Sequence, residues 1–364
     1  MKKVKVIYHI DLNQFFCAVA ILLNPSLKGK AFAIGRENST KGVVSTASYE
    51  ARKYNIKAGM PLIDCYRNLK SLIVVNPDYS IYEKYSNLFF DILSQYSSNI
   101  VKISIDEGYL DVTNETLNNN IHPVEYAQII QNRIKNEIGL ECSIGIAPTL
   151  FLAKMASDLK KPMGITVLRK RDCIKVLGGL KVDEIYGVGK KTSEKLHFLN
   201  INTINDFLNE ENKYLITKIM SEEIYDSFIE KLKGNSSNIV EQRAFKTKSI
   251  SHSQTYDYPL DNFEDILEQL FLQAKELVNQ LEMLNYRTKT ITITLRDVSF
   301  KTITRSVTID FTDEFNIINT EIENLLEMNY KNQRFRLVGV TLGNLKTLEE
   351  SIKITLFNVY DVYK

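Results

Sequence analysis

Short segments in which apolar and polar residues alternate predict the strands of the N-terminal half. Residues 4–10 alternate with period two, which predicts a half-buried strand that ends directly before Asp11. A second alternating segment, residues 101–105, runs straight into Asp106 and Glu107. Two strands are therefore expected to deliver carboxylates at their ends.

Helical periodicity follows these strands. Apolar residues recur every three to four positions over 125–138, and residues 141–146 then alternate again. This order of strand, helix and strand predicts an α/β sheet domain. Residues 171–240 carry helical patterns only, and Asn200 is suited to the left-handed conformation that ends a helix.

The pattern changes after a polar segment at 234–238, which has the composition of a linker. Residues 263–284 form one long apolar stripe at helical spacing, and residues 291–295 alternate as a strand does. A separate small α/β domain is therefore predicted over 243–345. The chain shows no internal repeat.

Size and composition support several compact units. The chain has 364 residues, of which 44% are hydrophobic, and this length exceeds what one hydrophobic core usually serves. The net charge of +2 is low for a nucleic-acid-binding protein, so any positive surface for DNA must be local. No segment approaches about 20 consecutive apolar residues, and the N-terminus lacks a signal-peptide pattern, so we expect a cytoplasmic protein with no membrane span.

The four cysteines, Cys17, Cys65, Cys142 and Cys173, are widely scattered. Their spacing fits neither a zinc site nor a redox motif, so reduced thiols are expected.

The chemistry of the N-terminal half is suggested by Asp11, Asp106 and Glu107. Magnesium prefers oxygen ligands and is usually held by a few carboxylates together with substrate phosphates. Two metal ions held at one point can activate a hydroxyl and stabilise a leaving pyrophosphate. Each residue taken alone also fits ordinary turn chemistry, so the residue types leave both interpretations open.

The sequence around these carboxylates resembles one family. Residues 104–111, SIDEGYLD, are similar to the SIDEAYLD signature of the Y-family DNA polymerases, which copy past damaged bases. Residues 10–16, IDLNQFF, resemble the N-terminal metal motif of the same family. The similarity extends over essentially the whole chain and is greatest to the bacterial DNA polymerase IV group.

The resemblance implies an active site with two Mg²⁺ ions, for which Mn²⁺ can substitute. The implied metal ligands are the carboxylates of Asp11, Asp106 and Glu107 and the carbonyl of Leu12. Phe16 falls on the steric gate, the ring that lies under the sugar and excludes a 2′ hydroxyl, and Phe15 precedes it in the same nucleotide site. A phenylalanine in an apolar turn would otherwise be expected in the core.

Further implied contacts bind the nucleotide. Residues 45–52 resemble the nucleotide-binding segment of the family, and residues 153–165 resemble a segment whose lysine before a proline contacts the triphosphate. The implied phosphate contacts are Thr46, Tyr49, Arg52 and Lys161, with Lys160 as the alternative lysine; Val43 and Ser45 would cover the nascent base pair. Without the resemblance, an exposed and capped helix start explains residues 45–52 equally well.

DNA-holding elements are also implied. Gly187 and Gly189 precede a helix as in a helix-hairpin-helix, whose backbone amides bind a DNA phosphate. Basic residues on strand faces of the C-terminal domain could follow the phosphate backbone, although solvated faces explain some of them equally well: Arg287, Lys289, Arg296, Lys301 and Arg305. The implied partners are primer-template DNA, deoxynucleoside triphosphates and, through residues 353–357, a sliding clamp. A monomer near the nucleoid is expected.

The resemblance divides the chain as a right-hand polymerase. The expected domains are a palm (1–14 and 80–170), fingers (15–79), a helical thumb (171–240), a little finger (241–345) and a C-terminal tail (346–364). Four residues depart from the family pattern: Gly108, Asn13, Ala20 and Tyr186. Gly108 is expected to loosen the backbone beside Glu107. The alternative to low-fidelity translesion synthesis without proofreading is therefore an impaired DNA-binding or clamp-associated relative. A nucleotide cyclase would leave the C-terminal half unexplained.

Overall fold

The computed structural model of the chain describes residues 4–37, 42–241 and 246–351, which belong to two compact units. The first unit spans Met1–Arg243 and the second Ala244–Lys364. The clamp-like segment 353–357 lies outside the described residues. Among those described, no helix is both long and apolar enough to cross a membrane.

Strands and helices are mixed in the N-terminal part of the first unit, and its last part is helical. Its strands are β1 (Ile7–Leu12), β2 (Phe32–Ile34), β3 (Thr46–Ala47), β4 (Ile73–Val75), β5 (Ile100–Lys102), β6 (Glu107–Asp111), β7 (Cys142–Ala147) and β8 (Ile165–Val167). Its α-helices are α1 (Phe15–Leu23), α2 (Tyr49–Arg52), α3 (Leu62–Asn68), α4 (Tyr79–Ser94), α5 (Thr113–Asn118), α6 (Pro123–Ile138), α7 (Leu150–Asp158), α8 (Cys173–Leu177), α9 (Lys190–Phe198), α10 (Ile204–Leu208), α11 (Lys213–Ile216) and α12 (Glu222–Leu232).

A five-stranded sheet in the order β5-β6-β1-β7-β8 carries the predicted carboxylates. Its central strand β1 pairs antiparallel with β6 and with β7. The predicted half-buried strand is wrong in its bounds and in its burial: β1 begins at Ile7, and Asp11 lies inside it. Residues 7–10 are at most 1% exposed, because Tyr8 and Ile10 pack with α4 and α6 while Ile7 packs with α7. Both faces of the strand are covered.

The helical predictions for the first unit are confirmed. Helix α6 covers the predicted segment and buries Ala127, Ile130 and Ile134. Within 171–240, the structure has helices and turns with a single isolated bridge, and Asn200 has a φ of 59° after α9.

All four cysteines are free and buried.

A smaller sheet in the order β3-β2-β4 packs with α2 and α3 around Ala51, Ile56 and Leu62. The polar segment 234–238 is not the boundary between the units. The carbonyl of Ser237 accepts a bond from the Leu150 amide at 3.1 Å, so this segment lies against the start of α7. The boundary falls a few residues later, after Arg243.

The second unit is the predicted small α/β domain. Its strands are β9 (Ser249–Leu260), β10 (Tyr286–Asp297), β11 (Thr302–Thr312), β12 (Phe335–Gly343) and β13 (Lys346–Thr347), and its helices are α13 (Phe263–Leu284), α14 (Phe315–Glu327) and α15 (Leu348–Ser351). The sheet order is β11-β10-β12-β9, and β13 pairs with β10. The apolar faces of α13 and α14 pack on Ile291, Ile293 and Leu295 of β10.

Gly108 does not loosen the backbone as its sequence position suggested. It lies inside β6, paired with Ile10 on one side and Lys102 on the other. A Cβ at this position would come within 2.9 Å of the Phe90 ring and of the Val101 carbonyl oxygen. Gly108 is therefore required by close packing.

We expect Gly108→Ala to lower the free energy of unfolding by about 1–3 kcal/mol, because the added methyl group overpacks this contact. Phe90→Leu should recover part of that loss when the two changes are combined, since the ring supplies one of the two clashes. Urea unfolding of the four proteins of this double-mutant cycle measures the coupling. Strictly additive losses would show that the ring does not restrict residue 108.

Asp111 fixes the far end of β6. Its carboxylate accepts hydrogen bonds from the Lys5 ammonium, from the Thr113 hydroxyl and, at 3.1 Å, from the Thr113 amide. The side chain is 6% exposed. Burial works to raise its pKa, but the Lys5 and Thr113 bonds outweigh burial and lower it. The carboxylate therefore favours the folded state when it is ionised.

Because the pKa of Asp111 is lower in the folded than in the unfolded chain, its stabilisation is complete above the unfolded pKa and is lost as pH falls through the folded pKa. We expect Asp111→Asn to cost about 2 kcal/mol near neutral pH. This cost should shrink below about pH 4, where the unfolded carboxyl becomes protonated. Denaturant unfolding of both proteins across that range provides the measurement, with the exposed Asp91→Asn as control. A pH-independent cost would contradict this prediction.

Candidate active site

Asp11 and Glu107 face each other across two paired strands. They are directly opposite in the register of β1 and β6, and the Leu12 amide donates to the Asp106 carbonyl at 2.9 Å. The turn before β6 is closed by two amides, those of Ile103 and Ser104, which both donate to the Glu107 carbonyl. This turn is why the strand predicted to continue to residue 105 ends at Lys102.

His9 joins this pair, although sequence reasoning did not single it out. Among the described residues, ligand atoms of His9, Asp11 and Glu107 lie within 4.8 Å of one another. Nδ1 of His9 bonds to the Ser157 hydroxyl at 2.8 Å, and Nε2 lies 3.3 Å from Oε2 of Glu107 without forming a hydrogen bond. Burial lowers the pKa of the ring, so it favours the neutral form. The polar position in an otherwise apolar strand was the signal that could have identified it.

Asp106 is adjacent but differently engaged. Its carboxylate accepts from the Ser104 hydroxyl, and it is not part of the 4.8 Å group found among the described residues. Burial raises its pKa, with smaller contributions from the charges of Asp11 and Glu107, while the Ser104 bond opposes the rise. Gathering three carboxylates therefore has an electrostatic cost that a cation would remove.

Two lysines supply positive charge at the site. Nζ of Lys154 lies 2.7 Å from Oε2 of Glu107 and 3.2 Å from Oδ2 of Asp11. Nζ of Lys161 lies 2.8 Å from Oδ1 of Asp11 and 2.8 Å from Asp158. The His9 ring and the Lys154 ammonium hold the pKa of Glu107 well below its usual range. Burial works to lower the pKa of Lys154, but the carboxylates around it raise it, so it is charged.

Two of the predicted phosphate contacts, Tyr49 and Arg52, lie on α2. Ser48 caps α2, which presents Tyr49 in its first turn and the exposed Arg52 in its last. The Arg52 guanidinium lies 4.8 Å from the centre of the Tyr49 ring, and its Nε donates to the Ala47 carbonyl. Burial raises the pKa of Tyr49, and the charges of Arg52, Lys161 and Asp11 all act on its hydroxyl. Thr46 is half-buried in β3.

Phe15 and Phe16 have different surroundings. Phe15 is 3% exposed and packs in the sheet core, so its backbone alone is available to a ligand. The half-buried Phe16 ring stacks on Tyr82, with centroids 4.0 Å apart and planes 12° from parallel. Tyr79 meets both rings edge-on. The Phe16 ring is therefore held in place by two tyrosine rings.

Asn13, one of the departures from the family pattern, holds the loop that carries Lys161. Its carbonyl oxygen accepts from the Met163 amide at 2.9 Å, and its amide donates to the Ser143 hydroxyl at 2.9 Å. Gln131 reaches the Met163 carbonyl from α6 at 3.1 Å. These buried amides were not recognised from the sequence, because nothing in the pattern shows which loop they contact.

The glycine turn directly precedes α9, in the order that the sequence shows. Gly187 has a φ of 99°, and Gly189 precedes the helix without a side-chain cap, which leaves the first amides of α9 open.

In the second unit, a bulge near Thr288 alters the alternation of β10 at Arg287 and Lys289. Arg287 is paired with Asp313 at 3.1 Å, so its charge is partly neutralised.

The donor set fits a divalent cation. Asp11 and Glu107 offer facing carboxylate oxygens, Asp106 adds a third carboxylate, and the Nε2 of His9 is buried without a hydrogen-bond partner. Hard cations such as Mg²⁺ and Mn²⁺ take oxygen ligands of this kind. The cluster can therefore hold a divalent cation, and its predicted role as a metal site is chemically consistent.

Comparison with known proteins identifies the family. Residues 10–158 match the impB/mucB/samB family model, and residues 247–356 match the impB/mucB/samB family C-terminal domain. A DNA polymerase IV of Bacillus anthracis is 37% identical over 97% of this chain and 85% of its own length. A DNA polymerase IV of Ureaplasma parvum is 34% identical over 97% of this chain and 98% of its own length.

Solved structures agree with the sequence matches. A Y-family DNA polymerase chimera of Dbh and Dpo4 superposes with a TM-score of 0.82 at 29% identity, covering 94% of this chain and 99% of the chimera. An insertion ternary complex of Dbh DNA polymerase gives a TM-score of 0.62 at 28% identity, with the same coverage of 94% and 99%. These likenesses confirm the predicted α/β polymerase fold class. The chain belongs to the impB/mucB/samB family and is a DNA-directed DNA polymerase of the Y family.

Proposed function

We propose that this chain performs low-fidelity translesion synthesis by adding deoxynucleoside monophosphates to a primer end, with two divalent cations and without proofreading. The observation that carries the proposal is the pairing of Asp11 with Glu107 across β1 and β6, beside Asp106 and the two lysines. Mg²⁺ is the proposed cofactor, and Mn²⁺ is the proposed substitute.

Each part of the site has a separate role in this mechanism. Asp11, Asp106 and Glu107, with the Leu12 carbonyl, would hold the cations, which when bound neutralise the triphosphate and activate the primer hydroxyl. Two further side chains, Arg52 and Lys161, and the hydroxyls of Thr46 and Tyr49 would bind the phosphates: Arg52 as a planar fork and Lys161 as a point charge.

The surface over the nascent base pair supports tolerance of damaged templates. Val43 and Ser45 are both exposed, and their side chains are small. A bulky base therefore meets little steric resistance there. The proposed partners are primer-template DNA and deoxynucleoside triphosphates. The proposed division of the chain is palm, fingers, thumb, little finger and tail, with the start of the tail paired to the second unit through Lys346 and Thr347.

One argument for the impaired, purely DNA-binding alternative no longer holds. It depended on Gly108 as a weak point beside Glu107, whereas Gly108 lies in two strand pairings and against the Phe90 ring. Tyr186, the departure before the glycine turn, has its ring near that of Phe151. Its backbone amide donates a hydrogen bond to the Met155 sulfur. Neither residue removes a group that the proposed reaction needs.

Primer extension tests the proposal. We expect the wild type to extend a primer on undamaged and abasic templates with Mg²⁺, and Asp106→Ala to lose at least about a hundredfold in rate, because a metal ligand is missing. The matched control is Asp91→Ala on the exposed face of α4. A wild type that binds primer-template and extends nothing would instead establish the DNA-binding alternative.

Phe16→Ala tests the gate independently of the metal. Removing the ring from its stack on Tyr82 should raise the ratio of ribonucleotide to deoxynucleotide incorporation by roughly a hundredfold, as expected when a steric clash of several kcal/mol is relieved. The ratio is measured within one preparation, so a general loss of folded enzyme does not change it. An unchanged ratio would exclude Phe16 as the gate.

Lys161→Met tests the triphosphate contact. We expect the KM for the incoming nucleotide to rise roughly tenfold, since one charge-assisted contact to phosphate is lost. Lys160→Met is the neighbouring control, and its side chain is exposed. If the effect appears in Lys160→Met instead, the contact belongs to residue 160.

A further inference from the structure

Lys154 has an unusual position for a lysine. It projects from α7, and its side chain is only 12% exposed. Its ammonium lies 2.7 Å from Oε2 of Glu107, 3.2 Å from Oδ2 of Asp11 and 3.6 Å from Oδ2 of Asp158. Three carboxylates thus surround one buried ammonium, which compensates the loss of its hydration.

The ammonium shares its two closest oxygens with the proposed metal site. Asp11 and Glu107 would also hold a divalent cation through their carboxylate oxygens. The Lys154 ammonium already contacts one oxygen of each. An ammonium and a divalent cation that are drawn to the same oxygens repel each other at short range, so each weakens the binding of the other.

Asp158 offers the ammonium a second position. It is one helical turn after Lys154 and about half exposed, and its other oxygen already pairs with Lys161 at 2.8 Å. A small change in the Lys154 side chain torsions would close the 3.6 Å gap to Asp158. The lysine can therefore leave the oxygen pair without becoming an unpaired buried charge, which would be costly.

We propose that Lys154 is an internal cation that competes with a divalent ion for Asp11 and Glu107, and that Asp158 receives its ammonium when the ion binds. This inference rests on the metal site of the proposed function. Its consequence is that metal binding to the protein alone is weak. Binding becomes favourable when a triphosphate supplies further oxygen ligands and negative charge.

Manganese binding to the protein alone, without DNA or nucleotide, tests this competition. Free Mn²⁺ is counted by electron paramagnetic resonance for wild type, Lys154→Met, Asp158→Asn and the surface control Lys84→Met. We expect Lys154→Met to tighten the Kd by roughly tenfold, because the competing charge is gone. Lys84→Met, which loses the same charge from the exposed face of α4, should leave the Kd within about twofold.

Asp158→Asn should weaken manganese binding, because the displaced ammonium loses its second partner. This effect should largely disappear in the Lys154→Met background, whereas a simple loss of negative charge near the ion would persist there. Persistence of the full effect would overturn the role of Asp158. Equal affinities of Lys154→Met and Lys84→Met would overturn the competition itself.

Circular dichroism and thermal melting establish whether each variant is folded. If Lys154→Met does not fold, the Asp158→Asn variant decides the test. A Kd for Mn²⁺ equal to that of the wild type would then contradict the proposal. The failure of the proposed function has a different signature, since no variant would then bind Mn²⁺. Binding that is present and insensitive to Lys154 leaves the function intact and removes this inference only.

Discussion

The repulsion between Asp11 and Glu107 is the constraint on which the rest of the site depends. Their register across β1 and β6 brings two carboxylates together in a partly buried position, beside Asp106. Such an arrangement is stable only if cations or hydrogen-bond donors compensate it. The protein supplies the ammonium groups of Lys154 and Lys161, which offset the charge of the carboxylates where they converge.

This compensation requires a sheet that is covered on both faces. Because α7 packs on one face of β1, the same helix brings Lys154 to the carboxylates and Ser157 to the His9 ring. The core with α4 and α6 on the other face fixes the strand from behind. A half-exposed strand would let water screen the charges and would leave His9 without its fixed orientation.

Much of this architecture could be predicted from the sequence. Period two and helical periodicity identify the strands, α6 and α13 because a strand or helix that packs on a core repeats its apolar residues with its own geometry. The carboxylates were found because a short signature carries them in a fixed order. The start of β1 and its two-sided burial were missed, since alternation cannot show that a second layer of helices covers the polar positions.

The contacts that tune the site depend on folding partners far away in the chain. His9 meets Ser157 and Asn13 meets Met163, about 150 residues apart, so no local pattern announces either pair. Gly108 was misjudged for the same reason, because the Phe90 ring that restricts it comes from α4.

Lys154 on α7 and Lys161 in the loop after it both contact Asp11, but from different depths. Both ammonium groups contact Asp11, each at a different oxygen, and both also reach Asp158. Lys154 arrives from the buried face of α7, whereas Lys161 arrives from a loop that Asn13 holds. Lys161 is the more exposed of the two lysines, so an incoming anion reaches its ammonium first. In the proposed mechanism, the same residue type at two depths would separate the binding of phosphate from the control of the metal ligands.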